Sequence, residues 1–212
     1  MLLTKDSISS MFRSVALLWQ NNTARLSEID SLFGDGDHGV TVGKMAALTL
    51  SRLEEWRDAS VKEFIENLGS GFMEISGGSA GPLYGTLTEG LAEPLSEGSE
   101  IDAATLKAMF AGSRDALFEI TKARVGDKTM MDVLIPAVEA ARDAPDDVLS
   151  VLRAAASAAA RGLGDTENMA AKFGRARSYG EKTLGTPDAG AMSTALLFEG
   201  LLRGVEAPDA RG

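Results

Sequence analysis

Apolar residues recur along this chain with the spacing of a helix. Ile8, Phe12, Val15 and Trp19 stand at i, i+4, i+7 and i+11, which is one helical face. Leu106, Phe110, Leu117 and Ile120 repeat the pattern. So do Met131, Leu134, Ile135 and Val138, then Val148, Val151, Leu152 and Ala155, and finally Ala191, Ala195, Phe198 and Leu202. No sustained period-2 run of β-branched residues interrupts them, so a substantial sheet is not expected. The spacing predicts an all-α chain of about eight helices joined by short loops. No repeat, charge run or Pro/Ser-rich linker divides it, and residues 1–212 read as one domain.

Helix boundaries are written in the polar residues. Asp102 precedes "AATLKAMF" as an N-cap, and Pro145-Asp146-Asp147 opens the next helix with acidic residues at its positive end. Pro82 falls in the first turn of "LYGTLTEGLAEPL". Asp127 reads as a cap for a helix opened by Thr129 and Met130, and Asp188 as a cap for the last helix.

The formal net charge of -10 and a pI near 4.7 argue against nucleic acid or an anionic membrane as partners. There is no cysteine, which suits a reducing cytoplasm. The start lacks the pattern of a signal peptide, and no apolar run reaches the roughly 18 residues of a membrane span.

Three glycine-rich stretches break the helical pattern, and the first concentrates acidic chemistry. "FGDGDHG" holds Asp35, Asp37 and the chain's single histidine, with Asp30 just upstream. In a regular helix Asp35 and Asp37 would point roughly 200° apart, so a loop freed by glycine is the way to converge three carboxylates. Held together they repel unless a cation sits among them, and no Lys or Arg lies within the loop. An EF-hand is excluded by counting: with Asp35 first, the fifth position is Gly39 and the twelfth Ala46. Magnesium keeps waters and reaches protein through few carboxylates plus phosphate oxygens, which points to a phosphorylated ligand. A plain Asp/Gly turn, with His38 as an exposed loop imidazole, is the competing reading.

The other two stretches suit anions. "GGSAGP" leads into a helix start whose backbone N–H groups face outward, and it is not a Walker loop because no Gly-Lys-Ser/Thr follows. "GRARSYGEKTLGTPDAG" carries Arg175 and Arg177, guanidinium forks that fit phosphate. Met130 is soft enough to pack on an adenine ring and equally at home in a core.

Taken together, "DSLFGDGDHG", "GGSAGPLYG", "GDKTMMDVLIP" and "GRARSYGEKTLGTPDAGA" resemble the L subunit of dihydroxyacetone kinase, over nearly the whole chain. The resemblance implies eight antiparallel amphipathic helices in an up-and-down barrel, with ADP or ATP bound at one end through two Mg²⁺ ions. It implies Asp30, Asp35 and Asp37 as metal ligands. It implies nucleotide contacts at His38, Gly39, Val40, Thr41, Ser79, Ala80, Met130, Arg175, Asp188, Ala189 and Gly190, with Arg175 also stabilising the transferring phosphoryl group. The acceptor, dihydroxyacetone or a similar small ketose, would be held on a separate K subunit. The donor would be a phosphocarrier M subunit of the phosphotransferase system acting on tightly bound ADP, or else ATP. A regulatory module that binds a transcription factor is the alternative, and a homodimer is allowed. Five positions depart from the family pattern: Arg177, Ser178 and Tyr179, where "GRARSYGE" replaces "GRASYLGE", Ala80, where serine is usual, and Thr41, where asparagine is common.

Overall fold

The computed structural model describes residues 1–207; the last five residues of the 1–212 span lie outside the described residues. Among the described residues there are nine α-helices: α1 (Lys5–Asn21), α2 (Thr23–Ser31), α3 (His38–Glu55), α4 (Val61–Met73), α5 (Ala80–Ala92), α6 (Ala103–Ile120), α7 (Met131–Asp143), α8 (Val148–Asp165) and α9 (Ala189–Glu206). Short 3-10 segments, Thr166–Asn168 and Arg175–Thr183, lie between α8 and α9. No strand forms among these residues, and the only β feature is an isolated bridge, Leu3 to Ile101.

Capping residues start the helices where the sequence places them. Asp102 accepts from Thr105 N at 2.8 Å, Asp147 from Ser150 N at 2.9 Å and Asp188 from Ala191 N at 2.7 Å. Each satisfies an amide that the first helical turn leaves without a partner. The predicted stripes point inward, with Ile8, Phe12, Val15 and Trp19 all buried. Ile120 is the exception at 54% exposure, because α6 ends on it and the last turn emerges into solvent.

Eight of these helices form a ring. In the order α1, α3, α4, α5, α6, α7, α8, α9, each packs on the next, and α9 closes on α1. The ninth, α2, is split from α1 by Asn22 and packs across α3, so the predicted number of barrel helices holds. The closing seam is tight: a Cβ at Gly200 would lie 2.6 Å from Val15 Cα, so the α1 and α9 backbones meet without side chains between them. One contiguous hydrophobic core fills the ring, from Leu3 to Leu201. It includes Phe110 edge-on to Phe198 with ring centroids 5.4 Å apart. Among the described residues no helix is long and apolar enough to cross a membrane.

An up-and-down ring has one consequence for chemistry. Every second helix starts at the same end, so the N-termini of α3, α5, α7 and α9 gather there. Four positive dipole ends and their free amides therefore face one region of an acidic protein.

Candidate metal and nucleotide site at the helix-start end

The acidic loop is formed by a chain that turns back as soon as α2 ends. The amides of Phe33 and Gly34 donate to the Asp30 main-chain oxygen at 3.2 and 2.6 Å. Gly36 takes φ +74°, a region that side chains disfavour. The turn brings one carboxylate oxygen from each of Asp30, Asp35 and Asp37 within 4.8 Å of the others. Asp30 and Asp37 are half-buried and Asp35 is exposed. No other such group of three His, Asp or Glu side chains occurs among the described residues.

The electrostatics match the crowding. Partial burial raises the Asp37 carboxyl above its ordinary range, and the charges of Asp35 and Asp30 add to the rise. Arg175 acts in the opposite sense and pairs with Asp35. The cation missing from the loop's own sequence is thus delivered from the far end of the chain. Three hard oxygen donors in one place fit a divalent cation of the magnesium type.

Asp37 occupies the N-cap position of α3 without a side-chain cap bond, so its carboxylate is free for another partner. Thr41 N donates to the Asp37 main-chain oxygen at 3.0 Å, while the amides of Gly39 and Val40 have no intrahelical acceptor. Val40 is exposed, and Gly39 is buried against α2, where a Cβ would run into the Thr23 carbonyl and Ser27. The loop before α5 closes over this corner. A Cβ on Gly78 would stand 3.5 Å from Asp37 Oδ1, and Lys44 Nζ donates to Ser76 O at 3.3 Å. Ser79 is the exposed N-cap of α5 and Ala80 its buried first residue.

From the opposite side come α7 and α9. Met130 is buried next to Gly190, where an added Cβ would sit 3.7 Å from Met130 Cβ and 3.2 Å from Asp188 Oδ1. Ala189 is buried and Gly190 half-buried. Burial lifts the Asp188 carboxyl to about 6; the Ala191 amide and Lys128 oppose the rise, and Asp132 and Asp30 reinforce it.

His38 is not an exposed loop imidazole. It is the first residue of α3, and its Nε2 lies 2.8 Å from Ser193 Oγ. Burial lowers its pKa, so the ring is neutral at pH 7. Ser193 Oγ lies 2.7 Å from the hydroxyl of the buried Tyr84, which also meets Thr194 Oγ1 at 2.8 Å. Trp19 Nε1 donates to Ser193 O at 2.9 Å. These hydroxyls link the first turns of α3, α5 and α9. No local spacing marks them, because Tyr84 and Ser193 are single polar residues within helices and meet only through tertiary packing.

Two other positions differ from the sequence reading. Asp127 does not cap α7: its carboxylate accepts from Arg124 N at 2.8 Å and pairs with Lys172 at 2.9 Å. The helix start is held instead by Asp132, buried, which accepts from Gly126 N and Thr129 N, each at 2.6 Å. Arg177 is exposed and makes no ion pair among the described residues, unlike its neighbour Arg175.

Comparison with known proteins agrees with this geometry. Residues 32–203 match the DAK2 domain. The chain is 30% identical over 202 residues to the ADP-binding subunit DhaL of the PEP-dependent dihydroxyacetone kinase of Escherichia coli, covering 94% of this chain and 96% of that one. It is 34% identical over 185 residues to an L-erythrulose 1-kinase of Mycolicibacterium smegmatis, spanning 85% of this chain but 32% of that longer protein. The fold resembles the dihydroxyacetone kinase of C. freundii in complex with AMP-PNP and Mg²⁺, with a TM-score of 0.72 at 23% identity, covering 96% of this chain and 34% of that one. An all-helical ring, an acidic loop at its helix-start end and these matches together place the chain in the DAK2 domain family, with the ADP-binding L subunits of dihydroxyacetone kinase.

Proposed function

We propose that residues 1–212 act as one nucleotide-binding domain, the L-type subunit of a cytoplasmic ketose kinase. It transfers a phosphoryl group from a magnesium-bound nucleotide to dihydroxyacetone or a similar small ketose held on a partner K subunit. The observation that carries this is the convergence of three carboxylates with four helix N-termini at one end of the ring. Carboxylates alone would bind a cation, and helix ends alone would bind an anion; side by side they suit a metal polyphosphate.

When bound, the metal–nucleotide pair supplies the phosphoryl group and the divalent charge, two Mg²⁺ ions in this reading, that neutralises it. Asp30, Asp35 and Asp37 hold the metal. The free amides of Gly39 and Val40 and of Ser79 and Ala80 hold phosphate oxygens, with the side chains of His38 and Thr41 beside them. Met130 and the turn Asp188-Ala189-Gly190 line the nucleotide on the other side. Arg175, at the edge of the acidic cluster, stabilises charge on the transferring group. The acceptor hydroxyl and the group that takes its proton belong to the partner. Phosphoryl transfer asks mainly for positioning and charge neutralisation, which this end of the ring offers.

Bound ADP recharged by a phosphocarrier M subunit is the donor arrangement we favour over exchangeable ATP. Its support is that relatives matched over most of their own length, at 96% in Escherichia coli and 88% in Listeria innocua, carry PEP-dependent names.

The test is the double substitution Asp35→Asn with Asp37→Asn. On protein first stripped of nucleotide with EDTA, titration calorimetry with ADP should show binding in magnesium for the parent and none for the variant, with unchanged helical circular dichroism. Equal nucleotide affinity in both proteins refutes the ligand assignment.

A further inference from the structure

The segment between α8 and α9 leaves the ring and returns, carrying Arg175 to the acidic loop. Its outgoing and returning strands, lengths of loop that pair in no sheet, meet at a neck, where Gly185 N donates to Glu167 O at 2.8 Å. Lys128, from the loop before α7, reaches into that neck. Its Nζ donates to Thr166 O at 2.6 Å on one strand and to Thr186 O at 2.5 Å on the other. The same loop holds the outgoing strand a second time: Lys172 N donates to Asp127 O at 3.1 Å, and Lys172 Nζ to Asp127 Oδ1 at 2.9 Å. Beyond these anchors the segment is exposed at nearly every position from Lys172 to Lys182. It touches the acidic loop through the Arg175–Asp35 pair and through Tyr179, whose ring centroid is 5.2 Å from that of Phe33.

Lys128 is an expensive residue at this place. It is 4% exposed, and it is the single non-glycine residue with positive φ, at 60°, among the described residues. A buried ammonium loses its hydration, and left-handed backbone is disfavoured for a lysine. A short polar residue or glycine would sit there with less strain but could not reach both carbonyls.

We propose that Lys128 is a positioning residue: by gripping both strands of the neck, its ammonium group sets where Arg175 is delivered to the acidic cluster. It needs no contact with nucleotide to do so. The part of the proposal that concerns turnover rests on the kinase reading above; the mooring itself does not.

The experiment has two arms. In the first, the full chain is digested with trypsin in EDTA, well below the melting temperature, and cuts after Lys172, Arg175, Arg177 and Lys182 are timed by mass spectrometry. Lys128→Met should speed cutting within this segment by about 10-fold, since local release of its backbone from the neck, and not global unfolding, lets it enter the protease. Lys128→Gly, which relieves the backbone but lacks the ammonium, should be cut as fast as Lys128→Met. Lys128→Arg, which keeps a cation, should stay near the parent rate. A parent-like rate in both Lys128→Met and Lys128→Gly, or faster cutting spread evenly over the chain, overturns the mooring.

In the second arm, phosphoryl transfer to dihydroxyacetone is measured with the K subunit added, once with the phosphocarrier M subunit and its phosphoenolpyruvate-driven donor proteins and once with ATP. Lys128→Met should cost about 10-fold in the parent background and less than about 2-fold when Arg175→Ala is already present, the signature of one residue acting through another. Equal losses in both backgrounds overturn the coupling to Arg175. A parent protein that never transfers phosphate condemns the kinase reading and leaves the digestion result standing.

Discussion

Replacing Asp188 by asparagine should stabilise the ligand-free protein above neutral pH, although Asp188 caps a helix beside the proposed site. Burial raises its carboxyl from 3.8 to about 6, with Asp132 and Asp30 adding to the rise and Lys128 and the Ala191 amide opposing it. A raised carboxyl marks a charge that the folded state disfavours. The penalty is absent below the unfolded pKa and grows as pH rises through the folded one. The two-unit difference amounts to about 3 kcal/mol at pH 8 and about 1 kcal/mol at pH 4.5. Asparagine keeps a cap oxygen for the Ala191 amide, a bond of 2.7 Å in the parent, and carries no charge to desolvate. Allowing up to about 1 kcal/mol for the weaker neutral cap leaves a net gain of about 2 kcal/mol at pH 8, or roughly 4–8 °C in melting temperature. At pH 4.5 the gain should vanish. The assay is thermal unfolding of parent and Asp188→Asn across that pH range in EDTA. A variant less stable than the parent at pH 8, or a difference that does not change with pH, refutes the reasoning.

Gly39→Ala should place a methyl against the Thr23 carbonyl and Ser27 where α3 crosses α2, costing about 1–3 kcal/mol by overpacking, visible as a lower urea midpoint. Because that crossing carries the acidic loop, nucleotide affinity should fall in the same variant, as calorimetry would show. Tyr84→Phe removes a hydroxyl that meets Ser193 at 2.7 Å and Thr194 at 2.8 Å. Both partners retain carbonyl acceptors within α9, so the loss should be near 1 kcal/mol in urea unfolding, not the full penalty of a stranded polar group.

Much of the fold was legible along the chain. The helical stripes, the caps at Asp102 and Asp188, the acidic helix start at Asp146-Asp147, where the structure makes Asp147 the cap, and the lack of strands are local properties, set by spacing and by which side chains satisfy free amides. The acidic loop was legible for the same reason, since glycine and aspartate crowd into a few consecutive positions. The cap assigned to Asp127 failed because two aspartates flank the start of α7, and tertiary contact with Lys172 decides which one serves it. The competing reading of His38 as an exposed loop imidazole falls because its burial is conferred by Ser193 and α9, far away in sequence.

Sequence alone determined the helices, their starts and the presence of an acidic loop, because those depend on neighbours within a turn or two. Only the tertiary structure decided that four helix starts share one end, that Arg175 faces Asp35, and that a buried lysine holds the segment between α8 and α9. Those arrangements arise from tertiary packing, which brings together residues from 38 positions apart, as for Lys128 and Thr166, to more than a hundred, as for Asp35 and Arg175, and no local pattern encodes such a meeting.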